Sequence, residues 1–183
     1  MDKFLQNKGI LDVITSGSIL DLGCGKGLDI ISLSKKADFV IEAVDHDSAN
    51  IDFLNDKIKS ESIPNIHTHL KSIEDFRIEP EKYSIIIASN SLPFISSKEK
   101  VSEIIKNISH GLKTGGFAYV TLFGLNDGWK NKKNISFFSL EEATKIFDDL
   151  GLRKYFASTE EGYGKTMKGD IKFWNVHKFI YQK

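Results

Sequence analysis

Near its start the chain reads Ile19-Leu20-Asp21-Leu22-Gly23-Cys24-Gly25-Lys26-Gly27, and this segment is the clearest indication of its fold. An apolar strand runs into an acid and three alternating glycines, and the next segment, residues 28–36, is predicted to be helical. Because glycine lacks a Cβ, a strand that turns into a helix through such a loop brings backbone close to a ligand. The sequence therefore predicts a ligand bound on this loop.

The spacing and charge of the loop narrow the class of ligand. A dinucleotide-binding loop reads G-x-G-x-x-G and places a helix N-terminus against a pyrophosphate. Here the glycines at positions 23, 25 and 27 are more tightly spaced, and Asp21 stands at the strand end. A carboxylate is unfavourable beside phosphate but can orient an ammonium group, so a cationic amino-acid moiety is favoured over the nicotinamide cofactor of an oxidoreductase.

A second acidic residue lies at the end of the second predicted strand, where it can bind the ribose of a nucleoside. Residues 39–45 read as a mostly apolar strand that ends at Asp45. An acid at the tip of the second strand can accept hydrogen bonds from both ribose hydroxyls. We therefore predict Asp45 as the ribose ligand and place His46 over the adenine by adjacency, while Asp47 or Ser48 is better placed to cap the next helix.

Composition sets outer limits on the function. The 183 residues, 40% of them hydrophobic, favour one domain over residues 1–183. The formal net charge is zero, from 25 basic and 25 acidic side chains, so we expect neither a nucleic-acid nor a membrane partner.

One cysteine excludes an internal disulfide and a cysteine metal cluster. The start of the chain lacks a signal-peptide pattern, which predicts a cytoplasmic protein.

Strand and helix patterns alternate along the chain, which predicts an α/β fold with a mostly parallel sheet covered by helices on both faces. The final two strands have no helix between them and predict an antiparallel edge hairpin that turns near residues 162–164. We expect Ser96 and Glu99 to form a capping box and Gly115-Gly116 to turn the chain into the fifth strand. The expected helices cover residues 3–14, 28–36, 48–59, 101–112 and 139–150, and the expected strands cover residues 18–22, 39–45, 66–70, 83–89, 117–123, 153–159 and 172–181.

The D-x-G-x-G-x-G pattern resembles motif I of the class I S-adenosylmethionine-dependent methyltransferases. Further stretches are similar to the tellurite-resistance methyltransferase family and its uncharacterised bacterial relatives: residues 88–94, 113–116, 138–143 and 164–174. The resemblance implies a Rossmann-like, seven-stranded methyltransferase fold and S-adenosyl-L-methionine as the cofactor.

The resemblance also implies a set of site residues. Ser72 stands where the family often has an adenine-binding acid, so the Ile73 N–H, Glu74 or Asp75 would have to serve the adenine instead. The implied acceptor-site residues are Asn90, Ser91, Phe94, Trp129 and Trp174. The implied cofactor-binding residues are Asp21, Gly23, Cys24, Gly25, Gly27, Asp45, His46, Ser72, Ile73 and Asn90.

The sequence is compatible with several classes of methyl acceptor. Asn90, Pro93 and Phe94 invite comparison with the N-P-P-Y signature of nitrogen methyltransferases, but the spacing differs, so a small-molecule acceptor is favoured. The family suggests a thiol, a selenol, or an oxyanion of tellurium or selenium. The alternative is a regulatory protein that binds S-adenosylmethionine without turnover. The sequence leaves the oligomeric state open between monomer and homodimer.

The histidines and aromatic residues give weaker indications. A hydroxyl acceptor would need a general base, for which His177 and His110 are candidates by residue type alone. His67 and His69 share one strand face but have no third ligand at a suitable spacing, so we expect no metal. Trp129 lies in a polar loop, which favours a lid or substrate contact, and rings at this end would stabilise a sulfonium by cation–π contact.

Overall fold

A computed structural model describes residues 1–36, 38–166 and 168–183. Within these ranges, the strands are β1 Ser16–Leu22, β2 Asp38–Asp45, β3 Ile66–Leu70, β4 Tyr83–Ala88, β5 Leu112–Gly124, β6 Phe137–Phe138, β7 Arg153–Lys165 and β8 Ile171–Gln182. These eight strands form one sheet in the order β3-β2-β1-β4-β5-β8-β7, and the short β6 pairs with β5. All neighbours are parallel except β8, which is antiparallel to both β5 and β7.

Helices cover both faces of the sheet, because successive side chains of the buried strands point to opposite sides and both sides are apolar. The helices are α1 Asp2–Asn7, α2 Ile10–Val13, α3 Leu28–Ser34, α4 Ser48–Ser60, α5 Lys98–Gly111 and α6 Leu140–Asp148, with a 3-10 turn at Leu92–Phe94. One core packs α5 and α6 against Leu20, Ile86 and Val120. The other core packs α1 to α4 against Ile19 and Ile85.

The predicted fold class is confirmed, including the mostly parallel sheet and the antiparallel C-terminal hairpin. Strand order reverses between β1 and β4, which are adjacent and parallel. In open α/β sheets, ligands bind beyond the carboxyl ends of the strands at such a point. The fold therefore gathers the ends of β1, β2 and β4 around one crevice.

Two helix predictions were wrong in detail. The N-terminal helix expected over residues 3–14 is divided into α1 and α2, because Gly9 adopts a left-handed conformation with φ of 71°. The expected capping box of Ser96 and Glu99 does not form. Ser97 is the N-cap of α5, and its hydroxyl accepts a hydrogen bond from the Lys100 N–H.

Two turns also lie elsewhere than predicted. Gly115-Gly116 is an irregularity within β5 rather than a turn before it, and Gly115 has a φ of 80°. Residues 162–164 pair with β8 inside the hairpin, so the chain reverses between Lys165 and Ile171 instead. No described helix is both long enough and apolar enough to cross a membrane.

Candidate cofactor and acceptor site

The glycine loop leaves β1 and is fixed to β2 by backbone hydrogen bonds. The N–H groups of Gly23 and Cys24 both donate to the Val44 carbonyl, at 2.8 and 3.0 Å. Gly23 has a φ of 79°, and a Cβ built there would lie 2.4 Å from the Cβ of Ser91. A side chain at position 23 would therefore be strained and would collide with the loop that leaves β4.

The tip of the loop is held by Asp45, at the end of β2. One carboxylate oxygen accepts a hydrogen bond from the Gly25 N–H at 2.8 Å, and the other accepts from the Asp47 N–H at 2.9 Å. Each oxygen keeps a further acceptor position. A Cβ on Gly25 would meet no atom within 4 Å, so the loop tip faces open space. The Asp47 carboxylate accepts a hydrogen bond from the Ala49 N–H and so caps α4, which confirms Asp47 rather than Ser48 as the cap.

Asp21 is a buried carboxylate on the floor of a cavity of about 320 Å³, here called the glycine-loop cavity. Burial, with the nearby Asp29 and Asp45 carboxylates, raises its pKa to about 7, and the N-terminal ammonium of Met1 opposes this rise only in part. That ammonium pairs with Asp29 at 3.1 Å, and no hydrogen bond from the described residues contributes to the pKa of Asp21. The Asp21 charge is therefore only partly compensated when the carboxyl group is ionised. The cavity is lined by Asp21, Gly23, Cys24, Gly25, Lys26, Gly27, Leu28, Asp29, Ile87, Ser89, Asn90 and the first residue, Met1.

Cys24 lies in this loop as a small, partly buried side chain. Its thiol contacts the Gly25 carbonyl at 3.5 Å. Burial, with the Asp21 and Asp45 carboxylates, raises the pKa of the thiol above its ordinary value. Because the thiolate is the reactive form, Cys24 is unsuited to act as a nucleophile.

A second cavity of about 420 Å³, here called the Asp45 cavity, adjoins the loop on the β2 side. His46 lies at its rim with 83% of its side chain exposed. The Ser72 hydroxyl donates to the Asp75 carboxylate at 2.7 Å, while Glu74 pairs with Lys100. The lining residues are Gly23, Gly25, Asp45, His46, Asp47, Asn50, Ser72, Ile73, Glu74, Asn90, Ser91, Phe94 and Ile95.

Asn90, directly after β4, lies where the cavities meet. It lines the glycine-loop cavity, the Asp45 cavity and two cavities toward the C-terminal hairpin. Its φ of 54° is unusual for a residue other than glycine, and its N–H donates to the Thr121 hydroxyl at 2.7 Å. Beside it, the buried Ser91 hydroxyl has no hydrogen-bond partner within the described part of the chain. Strained backbone held by a neighbouring strand is typical of functional positions.

The larger of the two hairpin-side cavities, about 550 Å³, is here called the aromatic cavity. Phe94, Phe123, Trp129 and Trp174 line it, with ring centroids 5.6 to 6.2 Å apart in the contacting pairs. The Lys172 ammonium lies 3.8 Å from the Trp174 centroid and 4.2 Å from that of Trp129. The ring faces expected to meet a sulfonium therefore already contact a lysine.

Apart from His46, no histidine among the described residues lines these four cavities. His177 is buried, with Nδ1 2.8 Å from the Thr159 hydroxyl and Nε2 3.1 Å from the Phe138 carbonyl. Burial lowers its pKa below the ordinary value. His110 is exposed at the end of α5, and His69 lies 3.4 Å from a Glu42 oxygen. These contacts give His177 a structural role.

Comparison with known proteins decides the family. The sequence profile described as "Tellurite resistance protein TehB" matches residues 6–172. The chain belongs to the TehB family. A curated TehB family relative from Haemophilus influenzae, described as a probable S-adenosyl-L-methionine-dependent methyltransferase, is 29% identical over 159 residues. That match covers 86% of this chain and 53% of the relative, so the chain spans about half the length of this curated relative.

Solved structures share the fold. The crystal structure of TehB from Haemophilus influenzae has a TM-score of 0.80 at 22% identity, covering 95% of this chain and 60% of that one. An S-adenosylmethionine-dependent methyltransferase from Methanosarcina mazei has a TM-score of 0.75 at 17% identity and covers 92% of this chain and 93% of that one. The fold is therefore that of the Rossmann-like class I methyltransferases.

Each predicted cofactor or acceptor residue lines at least one of three cavities, the glycine-loop, Asp45 and aromatic cavities, and Asn90 lines all three. Sequence reasoning missed Thr121, which holds Asn90, and the buried pair of Asp127 and Lys172 beneath the aromatic cavity. Thr121 carries no signal because it lies in a regular strand. Asp127 and Lys172 are 45 residues apart, and only the packing of the hairpin against the loop after β5 brings them together.

Proposed function

We propose that this chain is an S-adenosylmethionine-dependent methyltransferase that acts on a small-molecule acceptor. The proposal rests on Asp21, a buried carboxylate that is only partly compensated by the N-terminal ammonium and that faces a cavity walled by glycine backbone. A buried charge needs a partner of opposite sign. The ammonium group of a bound amino acid would supply that partner, and a phosphate would not.

The other cavity residues fit the rest of this cofactor. Asp45 is fixed by two backbone N–H groups and retains acceptor positions for two ribose hydroxyls. Ile73 and His46 are available to the adenine, while the Ser72 hydroxyl already donates to Asp75. Bound in this way, S-adenosylmethionine supplies an electrophilic methyl group on its sulfonium.

The residues of the chain then have a positioning role. Methyl transfer is an in-line displacement, so holding the acceptor close and aligned contributes several kcal/mol, on the order of 7 in favourable cases. Asn90 borders both the cofactor cavities and the hairpin-side cavities, which favours it as the residue beside the methyl group. No histidine lines the hairpin-side cavities, as far as the described residues extend. An acceptor that arrives as an anion, such as a thiolate, a selenolate or an oxyanion, suits a site of this kind.

Two measurements test the proposal. Titration calorimetry is expected to give tighter binding of S-adenosylmethionine than of NADH, and the reverse order would overturn the cofactor assignment. Methyl-labelled S-adenosylmethionine, offered with thiols, selenite, tellurite, phenols and amines, is expected to label at least one acceptor. Tight cofactor binding with no transfer to any of them would favour the regulatory alternative instead.

A further inference from the structure

The aromatic cavity carries information about the acceptor that the cofactor residues do not. It adjoins the cofactor crevice, since Asn90 and Phe94 line both this cavity and the Asp45 cavity. Its volume is about 550 Å³, within the range of about 300 to 1,000 Å³ that holds drug-sized ligands. A small inorganic oxyanion would fill only a small part of it.

The aromatic walls are held in place before any ligand arrives. Asp127, fully buried, pairs with the Lys172 ammonium and also accepts hydrogen bonds from the N–H groups of Trp129 and Asn175. Lys172 lies against Trp129, Trp174 and, at 4.8 Å, Phe123. This arrangement ties the loop after β5 to β8. The rings therefore form a preorganised aromatic lining, with the planes of contacting pairs inclined at 56 to 79° to one another, and preorganisation lowers the cost of binding.

The charges at the mouth of the cavity are mostly positive. Lys132, Lys165 and Lys168 line it, opposed by Asp170 alone among the charged residues that line it. All three lysines are exposed, and none is ion-paired within the described residues. The Lys132 ammonium lies 4.1 Å from the Trp129 centroid, so charge and ring surface are adjacent. A ligand that carries both a flat ring and a negative group would meet both features at once.

We infer that the methyl acceptor is a planar, ring-bearing organic anion, with its ring against the aromatic walls and its anionic group toward the rim lysines. This inference rests on the proposed methyltransferase function and specifies the class of acceptor. An acceptor thiol first loses its proton to solvent. The thiolate sulfur then forms the new S–CH₃ bond with its own electron pair, and the sulfonium C–S bond breaks with its pair remaining on the cofactor sulfur.

Four probe compounds test the contribution of an aromatic ring to methyl transfer separately from that of a negative charge. 4-Mercaptobenzoate has both, 4-methylbenzenethiol has the ring without the carboxylate, mercaptoacetate has the carboxylate without the ring, and selenite is a small oxyanion. Transfer of labelled methyl is expected to be fastest, as kcat/KM, for 4-mercaptobenzoate. Equal or higher kcat/KM for mercaptoacetate or selenite would overturn the inference and leave the proposed function standing.

Substitution of the rim lysines tests where the carboxylate binds. In the K132Q/K165Q/K168Q variant, the ratio of kcat/KM for 4-mercaptobenzoate to that for 4-methylbenzenethiol is expected to fall roughly tenfold, since each exposed charge pair contributes modestly. Lys133 is exposed on the same loop but does not line the cavity, so K133Q is the matched control and should keep the ratio. An unchanged ratio in the triple variant would contradict the inference.

A binding measurement distinguishes failure of the inference from failure of the proposed function. With S-adenosylhomocysteine present, so that no transfer takes place, titration calorimetry should give a dissociation constant for 4-mercaptobenzoate roughly tenfold lower in the wild type than in the triple variant. The chain has two tryptophans, Trp129 and Trp174, and both line the cavity, so their emission reports its occupancy. Binding without transfer would contradict the methyltransferase but support the site, whereas absent binding would contradict the site.

Discussion

Replacing Asp21 with asparagine should increase stability and weaken cofactor binding in the same variant. Asp21 is buried, and its pKa of about 7 lies above the ordinary value of 3.8. The folded protein therefore holds a proton at Asp21 that the unfolded chain releases at lower pH. The wild type loses free energy of unfolding as pH rises from about 4 to about 7, and the loss is complete above that range.

The size of the effect follows from the two pKa values. Their difference, at about 1.36 kcal/mol per pKa unit, corresponds to about 4 kcal/mol at pH 8 and to about 0.5 kcal/mol at pH 4. Asparagine does not titrate, so D21N avoids this loss. The stability of D21N relative to the wild type should thus rise by about 3 to 4 kcal/mol between pH 4 and pH 8.

Urea unfolding at several pH values, followed by tryptophan emission, measures this difference. The control is D52N, because Asp52 is an exposed carboxylate on α4 and should show no comparable pH dependence. Calorimetry with S-adenosylhomocysteine on the same proteins should show D21N binding more weakly at pH 8, by about 1.5 to 3 kcal/mol for a charge-assisted hydrogen bond.

Two results would contradict the role assigned to Asp21. If D21N and the wild type keep the same difference in stability from pH 4 to pH 8, the pKa of Asp21 is not raised by burial. If D21N gains stability as expected but binds S-adenosylhomocysteine as tightly as the wild type, the raised pKa of Asp21 has a cause unrelated to the cofactor. A gain in stability together with a loss of affinity for S-adenosylhomocysteine is the result expected of a buried carboxylate that binds an ammonium group of the ligand.

Substitutions of Asp45, of the Asp127–Lys172 pair and of His177 test three other contacts. Asp45→Ala should weaken cofactor binding by about 1.5 to 3 kcal/mol in calorimetry, and an unchanged affinity would place the ribose elsewhere. K172M or D127L alone should each cost about 3 to 5 kcal/mol in chemical denaturation, because each leaves a buried charge unpaired. The double variant should cost less than the sum, and additive costs would argue against the pairing. His177→Gln should leave the pH dependence of the methyl-transfer rate unchanged, because the His177 ring contacts Thr159 and the Phe138 carbonyl away from the cavities. Loss of one limb of the pH–rate profile in this variant would instead identify His177 as the general base.

Local patterns in the sequence were sufficient to predict most of the fold and the cofactor side of the crevice. The glycine loop, Asp21 and Asp45 are adjacent to strand ends, and parallel strands bring their carboxyl ends to one edge. Strand β3 was predicted with its observed bounds, Ile66–Leu70, and the helix expected from residue 139 begins directly after its N-cap, Ser139. These features depend on residues close in sequence or on a topology with few alternatives.

Features that depend on tertiary contacts were not predictable in this way. The helical pattern of residues 3–14 concealed the break at Gly9, where the chain takes a left-handed conformation. Glycines near residue 163 indicated a turn, but pairing along β8 extends the hairpin past them to Lys165. The aromatic cavity depends on Asp127 meeting Lys172 across the loop and the hairpin. Neither residue carries a local signal for that contact.

We propose that S-adenosylmethionine binds between Asp21 and Asn90, with its amino-acid half on the glycine loop. A crystal structure of the complex with S-adenosylhomocysteine is the sharpest test of this binding mode. We expect the ligand amino group within hydrogen-bond distance of the Asp21 carboxylate and the ribose hydroxyls on Asp45. A ligand bound with its amino group away from Asp21, or seated in the aromatic cavity instead, would contradict it.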